Sequence, residues 1–205
     1  TVHKDSRWGT FPSVSAGWIV SEEPFMKKVN GRTLSFLKLR ASIGTLGNER
    51  IGNYPYVSLM EFTNSLFYNK ADASESTYYK GAAQIQYPIR NLTWETTETY
   101  DIGVDARFFD GRLSFVGDYY YKRTKDMLLD LEIPKYMGYS NPSQNAGKMH
   151  TKGYDLELSW NDRIGGFTYG ISANFSDYIS KMDDLSGTQF MGDQVKMTGL
   201  SLIHI

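Results

Sequence analysis

Hydrophobic and polar residues alternate with a period of two along most of the chain, and stripes of helical period are nearly absent. From Tyr100 to Phe108 every even position is apolar or aromatic, and every odd position is polar or small. Asp110-Gly111, a common hairpin turn, separates this run from a second alternating run over 113–121. The pattern predicts two long antiparallel strands, each with one apolar and one polar face.

The same alternation recurs on both sides of this hairpin. It covers 13–20, 37–43, 154–160 and 167–176, and a turn over 161–165 joins the last two runs. We predict six long strands, with 112–133 as a single bent strand, because Leu129, Leu131 and Ile133 keep the odd phase set by Leu113. A short helical turn with acidic residues at its start is expected over 21–26. The long stretch 45–91 is expected to be an excursion with room for hairpins of its own.

Connection lengths point to a particular class of β-protein. The turns at 110–111 and 161–165 are short, whereas 45–91 and 135–145 are long and rich in Gly, Asn, Ser and Tyr. Short turns on one side and long loops on the other are typical of outer-membrane barrels, which have at least about eight strands. The predicted fold class is therefore all-β: an incomplete antiparallel transmembrane β-barrel segment of about six long strands.

The aromatic residues fit the same interpretation. The chain has 15 Tyr, 11 Phe and 4 Trp, and aromatic rings favour the two membrane interfaces. If Asp110-Gly111 marks the inner side, the rings near the inner rim are Trp18, Phe108, Phe115, Trp160 and Phe167. Those toward the outer rim are Trp94, Tyr100, Tyr119, Tyr121 and Tyr178. A soluble secreted β-sandwich that binds carbohydrate or another ligand shows the same alternation and is the alternative.

The composition of the chain argues against several other functions. No Cys is present and the formal charge is -1, so thiolate metal sites are excluded and nucleic-acid binding is disfavoured. His3, His150 and His204 lack ligand partners at metal-site spacing, and we expect His150 to be an exposed strand-end residue. Asp155 and Glu157 are about 7 Å apart along one strand, within the range of the carboxylate pair of an inverting glycosidase, but every polar strand face produces such spacings and we favour lumen-lining carboxylates. We predict no enzyme activity, no catalytic residues, no metal and no cofactor.

Several segments together resemble the C-terminal barrel region of SusC-like TonB-dependent transporters. They are Arg7-Trp8-Gly9-Thr10-Phe11-Pro12-Ser13-Val14-Ser15-Ala16-Gly17-Trp18, Leu37-Lys38-Leu39-Arg40-Ala41-Ser42 with Gly47-Asn48, Ile51-Gly52-Asn53-Tyr54, Leu92-Thr93-Trp94-Glu95, Asp118-Tyr119-Tyr120 through Thr124-Lys125-Asp126-Met127-Leu128, and Lys152-Gly153-Tyr154-Asp155-Leu156-Glu157-Leu158. Each motif is weak alone, but their order along the chain is specific.

The resemblance implies a bacterial outer-membrane importer of glycans or other large nutrients. Such proteins are similar to one another in having a 22-stranded barrel, an N-terminal plug energised by TonB and a SusD-like surface lipoprotein as cap. The expected partners are outer-membrane lipid, this lipoprotein, TonB through a plug upstream of this chain, and an oligosaccharide or other nutrient. Residues 1–199 are expected to form part of the barrel, and 200–205 to be a non-native, adapter-derived tail.

Candidate ligand-binding residues fall into two sets. The polar strand faces supply carboxylates that we expect to line the lumen, and the long loops supply tyrosines suited to stacking on sugar rings. The lumen candidates are Asp101, Asp105, Asp118, Asp155 and Glu157. The loop candidates are Tyr56, Tyr68, Tyr136 and Tyr139.

Overall fold

The described part of the chain is almost entirely β-structure. A computed structural model describes residues 7–26, 33–49, 56–69, 72–85, 88–89, 91–130, 133–185 and 199. Its eight strands are β1 Ser13–Ile19, β2 Leu34–Asn48, β3 Met60–Asn69, β4 Asp72–Gln84, β5 Glu95–Phe108, β6 Leu113–Asp130, β7 Ser143–Ile164 and β8 Phe167–Asp184. No helix in these ranges is long and apolar enough to cross a membrane.

Six strands form one open sheet in the order β1-β2-β5-β6-β7-β8, and β3 pairs with β4 in a separate hairpin. The six predicted strands are thereby confirmed, and the 45–91 excursion does contain a hairpin. β2 neighbours β5 because β3 and β4 leave the sheet between them. The pairs β1–β2, β5–β6 and β7–β8 are antiparallel, as alternating faces joined by short connections require.

The chain divides into two compact units. The wall unit comprises Thr10–Gly47, Thr96–Lys125 and Gly147–Ile205, and the loop unit comprises Thr1–Gly9, Asn48–Glu95 and Asp126–Ala146. In the wall unit, a few small or aliphatic side chains are buried, among them Val20, Ala106 and Met182. In the loop unit the buried side chains are Leu92, Leu129 and Ala146.

Three local details differ from the prediction. The turn expected over 161–165 is tighter, because β7 continues to Ile164 and Gly165, with φ 62, takes the left-handed position of a two-residue turn. The helical turn near the start is a 3-10 turn at Val20–Glu22. The long bent strand is β6, in which Asp126 has φ 54, and positions 131 and 132 lie outside the described residues.

Side-chain hydrogen bonds in the loop unit satisfy backbone groups beyond the regular ladder. Asn145 Nδ2 donates to Thr93 O at 3.0 Å and to Asp126 O at 2.8 Å, and its Oδ1 accepts from Thr93 N at 2.8 Å. Glu95 Oε2 accepts from Leu128 N at 3.1 Å. Because each bond satisfies a backbone group that has no strand partner there, this cluster fixes the loop ends.

Candidate functional site

The two faces of the six-stranded sheet differ in chemistry. In the register of β5 and β6, Ile102 lies opposite Tyr119 and Val104 opposite Gly117, so apolar positions meet apolar ones. The same holds for Leu156 opposite Phe175 in β7–β8, and for Trp18 opposite Leu39 in β1–β2. Many of these side chains are exposed, including Trp18 at 49%, Ile102 at 66% and Phe175 at 63%. One side of the sheet is therefore an uncovered apolar surface, here called the apolar face.

The opposite surface, here called the polar face, collects all five carboxylates predicted from the sequence. Asp101 and Asp105 are on β5, Asp118 is on β6, and Asp155 and Glu157 are on β7. Gly103 lies directly opposite Asp118, which makes Asp105 the diagonal neighbour of Asp118. The alternation alone was enough to place these five side chains on one face.

Arg40 of β2 joins two of these carboxylates into an ion-pair network. Its Nε and Nη2 donate to Asp105 Oδ1 at 3.1 and 2.9 Å, and Nη2 donates to Asp118 Oδ2 at 3.2 Å. Asp118 Oδ1 lies 2.9 Å from the same Nη2, as a charge contact without hydrogen-bond alignment. The fork of the guanidinium suits this geometry, and lysine lacks such a fork. The sequence motif that contains Arg40 does not indicate this role, because both carboxylates lie on strands distant in the sequence.

Gly103 makes the network sterically possible. A Cβ at this position would collide with Asp118 Oδ1 and would lie 2.9 Å from the guanidinium carbon of Arg40. The absence of a side chain lets the guanidinium lie close over the β5 backbone, between the two carboxylates. The glycine is thus required for close packing of the network.

A tyrosine and a glycine interlock one strand further along the polar face. Asn161 N donates to Arg112 O at 2.8 Å, a register that places Tyr120 of β6 opposite Gly153 of β7. A Cβ at Gly153 would collide with the Tyr120 ring. Lys122 Nζ lies 4.7 Å from the centroid of the same ring, a cation–π contact.

Asp155 and Glu157 border a shallow pocket of about 260 Å³, which Asp118 also lines together with residues of β7 and β8. Asp155 lies opposite Ser176, and Glu157 opposite Asn174. Within the described residues, the carboxylate side chains of Asp155 and Glu157 have no hydrogen bond or ion pair. The β6–β7 register places Asp155 opposite Asp118. These groups leave acceptors open to a ligand and carry uncompensated negative charge.

The loop tyrosines are placed differently from one another. Tyr136 belongs to a 3-10 turn at Lys135–Met137 and is 89% exposed. Tyr56 and Tyr139 are half-buried, and each has a partner. The side chain of Tyr68 lies outside the described residues. Of the three rings that the structure describes, Tyr136 is therefore the one with an open face for stacking.

His150 departs from the expectation of an exposed strand-end residue. Its Nδ1 lies 2.6 Å from Asp183 Oδ1, and its ring stacks on Tyr121 with centroids 6.0 Å apart. The expectation was wrong because β7 begins at Ser143 and so extends beyond His150, and because β8 supplies Asp183 and β6 supplies Tyr121 as partners. Across the described ranges, no group of three or more His, Asp or Glu side chains could hold a metal ion.

Comparison with known proteins identifies the family. The family model described as "TonB dependent receptor-like, beta-barrel" matches residues 1–199. The chain belongs to this family. The expected all-β barrel class agrees with this membership, whereas the expected division of the chain after residue 199 stays a prediction. The tail at 200–205 lies outside the described residues, so its non-native origin stays a prediction.

Curated relatives of this TonB-dependent receptor barrel are similar over most of its length. It is 36% identical over 188 residues to TonB-dependent receptor P26 of Formosa agariphila, and 34% identical over 189 residues to TonB-dependent receptor SusC of Bacteroides thetaiotaomicron. These matches cover 91% and 90% of the chain, but the chain spans 18% of each relative.

The fold of this chain is similar to part of two solved structures. The structure of the RagAB peptide transporter matches with a TM-score of 0.81 and 26% identity, covering 97% of this chain and 21% of that one. The RagAB peptide importer in its "open-open" state matches with a TM-score of 0.74 and 27% identity, covering 92% of this chain and 20% of that one. The open six-stranded sheet is thus similar to part of a much larger barrel.

Proposed function

We propose that this chain forms part of the barrel wall of a TonB-dependent importer in the bacterial outer membrane. The main support is that one face of the sheet is apolar and exposed, whereas the other face is polar and contains ion pairs. A face that contains Ile102 and Phe175 at more than 60% exposure is favourable only against lipid or a protein surface. A soluble β-sandwich is disfavoured, because it would bury these side chains between two sheets.

The open sheet supports the same proposal. Its first and last strands, β1 and β8, are not paired with each other in the described residues. In hydrocarbon an unpaired strand edge leaves backbone groups unsatisfied, at several kcal/mol each by order of magnitude. We therefore propose that further strands of a longer protein close the barrel, as the 18% coverage of the relatives suggests.

The polar face then lines the lumen. Arg40 balances one of the two negative charges of Asp105 and Asp118 within the wall, whereas Asp155, Glu157 and Asp101 present free acceptors to a passing substrate. Tyr136 is exposed enough to stack on a sugar ring or a peptide side chain. The cargo is accordingly proposed as a large polar nutrient, an oligosaccharide or a peptide, and the name of the RagAB neighbour supports the second class.

The proposed partners follow from the family. A SusD-like surface lipoprotein would deliver the nutrient, and TonB would supply energy through a plug outside this chain. Binding a substrate against the wall requires no cofactor. We also propose that the wall has no enzymatic role.

Two measurements on the full-length protein test this function. It should fractionate with the outer membrane and show heat-modifiable gel mobility, and uptake of its nutrient should stop in a strain without TonB. A protein found in the soluble periplasm without heat-modifiable mobility would contradict the barrel. Uptake that is unchanged without TonB would contradict the proposed energy source.

A further inference from the structure

The apolar face ends in a group of cations near the long-loop side of the wall unit. Arg123 on β6, Lys152 on β7 and Lys181 on β8 are all exposed. His150 lies opposite Lys181, and the β6–β7 register set by Asn161 N and Arg112 O places His150 opposite Arg123 as well. Arg123, His150 and Lys181 thus form one row across three neighbouring strands.

These side chains lie on the apolar side of the sheet, not on the polar face. Tyr121 pairs with Tyr100 and its ring stacks on His150, which places Tyr121 and His150 on one surface. Arg123 is two residues from Tyr121, and Lys152 is two residues from His150, so both share that surface. The alternation rule alone would have assigned these positions to apolar side chains.

None of the three cations, Arg123, Lys152 and Lys181, has an ion pair of its own within the described residues, and Glu98, which lies opposite Arg123, pairs with Lys125 instead. Lys125 Nζ pairs with Glu98 at 2.5 Å, Lys148 Nζ lies 3.8 Å from Asp184 and His150 bonds Asp183. Asp177 is on the same surface opposite Tyr154, and its Oδ1 accepts from Tyr178 N. Apart from these pairs, Arg123, Lys152 and Lys181 face two carboxylates, Asp177 and Asp183, which leaves an excess of one positive charge beside an apolar surface when His150 is counted as neutral.

The cations are close enough to bind one headgroup. Adjacent strands are about 4.8 Å apart, and alternate residues of a strand about 7 Å apart. Arg123, Lys152 and Lys181 therefore converge on an area comparable to a phosphorylated lipid headgroup. On one side of the cations the same surface continues as Tyr119, Tyr154 and Phe175, which would contact the acyl chains.

We propose that Arg123, Lys152 and Lys181 form a binding site for the phosphate groups of an outer-membrane lipid, with its acyl chains on the adjoining apolar face. The inference rests on the proposed membrane position of the wall. Arginine can bind phosphate oxygens with two parallel hydrogen bonds, and lysines supply point charges. The continuous apolar surface favours a lipid over a soluble phosphate compound.

The test is lipid binding by the full-length detergent-purified protein, measured by native mass spectrometry with lipid A as the probe. The variant is Arg123→Gln/Lys152→Gln/Lys181→Gln. The matched control is Arg107→Gln/Lys38→Gln/Lys122→Gln, which removes one Arg and two Lys from the polar face. Heat-modifiable mobility of every variant shows whether the barrel itself has folded, independently of lipid binding.

We expect the first variant to bind lipid A about tenfold to a hundredfold more weakly, because each substitution removes one solvent-screened charge contact with the lipid phosphates. The control should bind like the original protein, and lipid A without its phosphates should bind both proteins weakly. Equal binding by the two triple variants, or equal binding of the dephosphorylated lipid, would overturn the site. So would displacement of lipid A by inorganic phosphate at matched ionic strength, because the site would then recognise free phosphate.

Discussion

The two faces of the same six-stranded sheet are stabilised by different interactions. The apolar face has exposed side chains such as Ile102 and Phe175, and its stability depends on what covers it. The polar face holds itself together internally, through Arg40, Asp105, Asp118 and the space above Gly103. The effect of substitutions on the apolar face should therefore depend on the surrounding lipid, whereas the effect of substitutions on the polar face should depend on geometry and salt.

The largest difference is expected for a charge placed at the middle of β8. Phe175→Arg should destabilise the full-length barrel by about 2–4 kcal/mol, because a cation on the lipid face must be desolvated near the bilayer midplane. The neighbouring Asn174→Arg puts the same side chain on the polar face opposite Glu157, where about 0.5 kcal/mol or less is expected. Urea titration in lipid vesicles measures both. Equal losses would mean that the faces are not distinct.

Adding one methyl group to the network tests its packing. Gly103→Ala should cost about 1–3 kcal/mol, because the new Cβ forces Arg40 and Asp118 apart. Gly166→Ala is the control, since a Cβ at Gly166 meets nothing within 4 Å. The same vesicle titration applies. If the two substitutions cost the same, Arg40 does not lie over Gly103.

The fork of Arg40 is tested by a change that keeps its charge. Arg40→Lys should cost about 1 kcal/mol, because lysine cannot reproduce the paired bonds from Nε and Nη2 to Asp105. In a double-mutant cycle with Asp105→Asn the two losses should be less than additive. Strict additivity would show that the two side chains are not coupled.

The smallest effect is expected to have the opposite sign. Asp155→Asn should stabilise the barrel by about 0.2–1 kcal/mol, because it removes a carboxylate that lies opposite Asp118 without a cation of its own. Asp105→Asn, the same change on the same face, should destabilise because it breaks the bonds to Arg40. Added salt should shrink the gain at Asp155. A loss at Asp155 would indicate a cation partner.

Much of this arrangement could be predicted from local pattern. Alternation places a side chain on a face without knowledge of the neighbouring strand, so the faces of Asp101, Asp118 and Glu157 followed from position alone. Asp110-Gly111 in addition fixes the β5–β6 register through Phe108 and Leu113. Family membership agreed with motifs spread along most of the chain.

The long-range contacts could not be predicted in the same way. Arg40 is 65 residues from Asp105, and nothing local states that β2 and β5 are neighbours once β3 and β4 leave the sheet. The contact between His150 and Asp183 joins residues 33 apart on two strands, and it too has no local sequence signal. Arg123, Lys152 and Lys181 lie just outside the alternating runs over 113–121, 154–160 and 167–176, so alternation does not indicate which face they occupy.

In the proposed barrel wall, the even positions of β5 face lipid and the odd positions face water. Because this chain contains no Cys, single cysteines carrying a spin label can be placed from Thr99 to Arg107 in the full-length protein, after any cysteines elsewhere are replaced. In lipid vesicles, the account predicts a two-residue period. Oxygen accessibility should peak at Tyr100, Ile102 and Val104, and accessibility to a water-soluble nickel complex should peak between them. Equal accessibility to both reagents along the strand, without this period, would contradict the account.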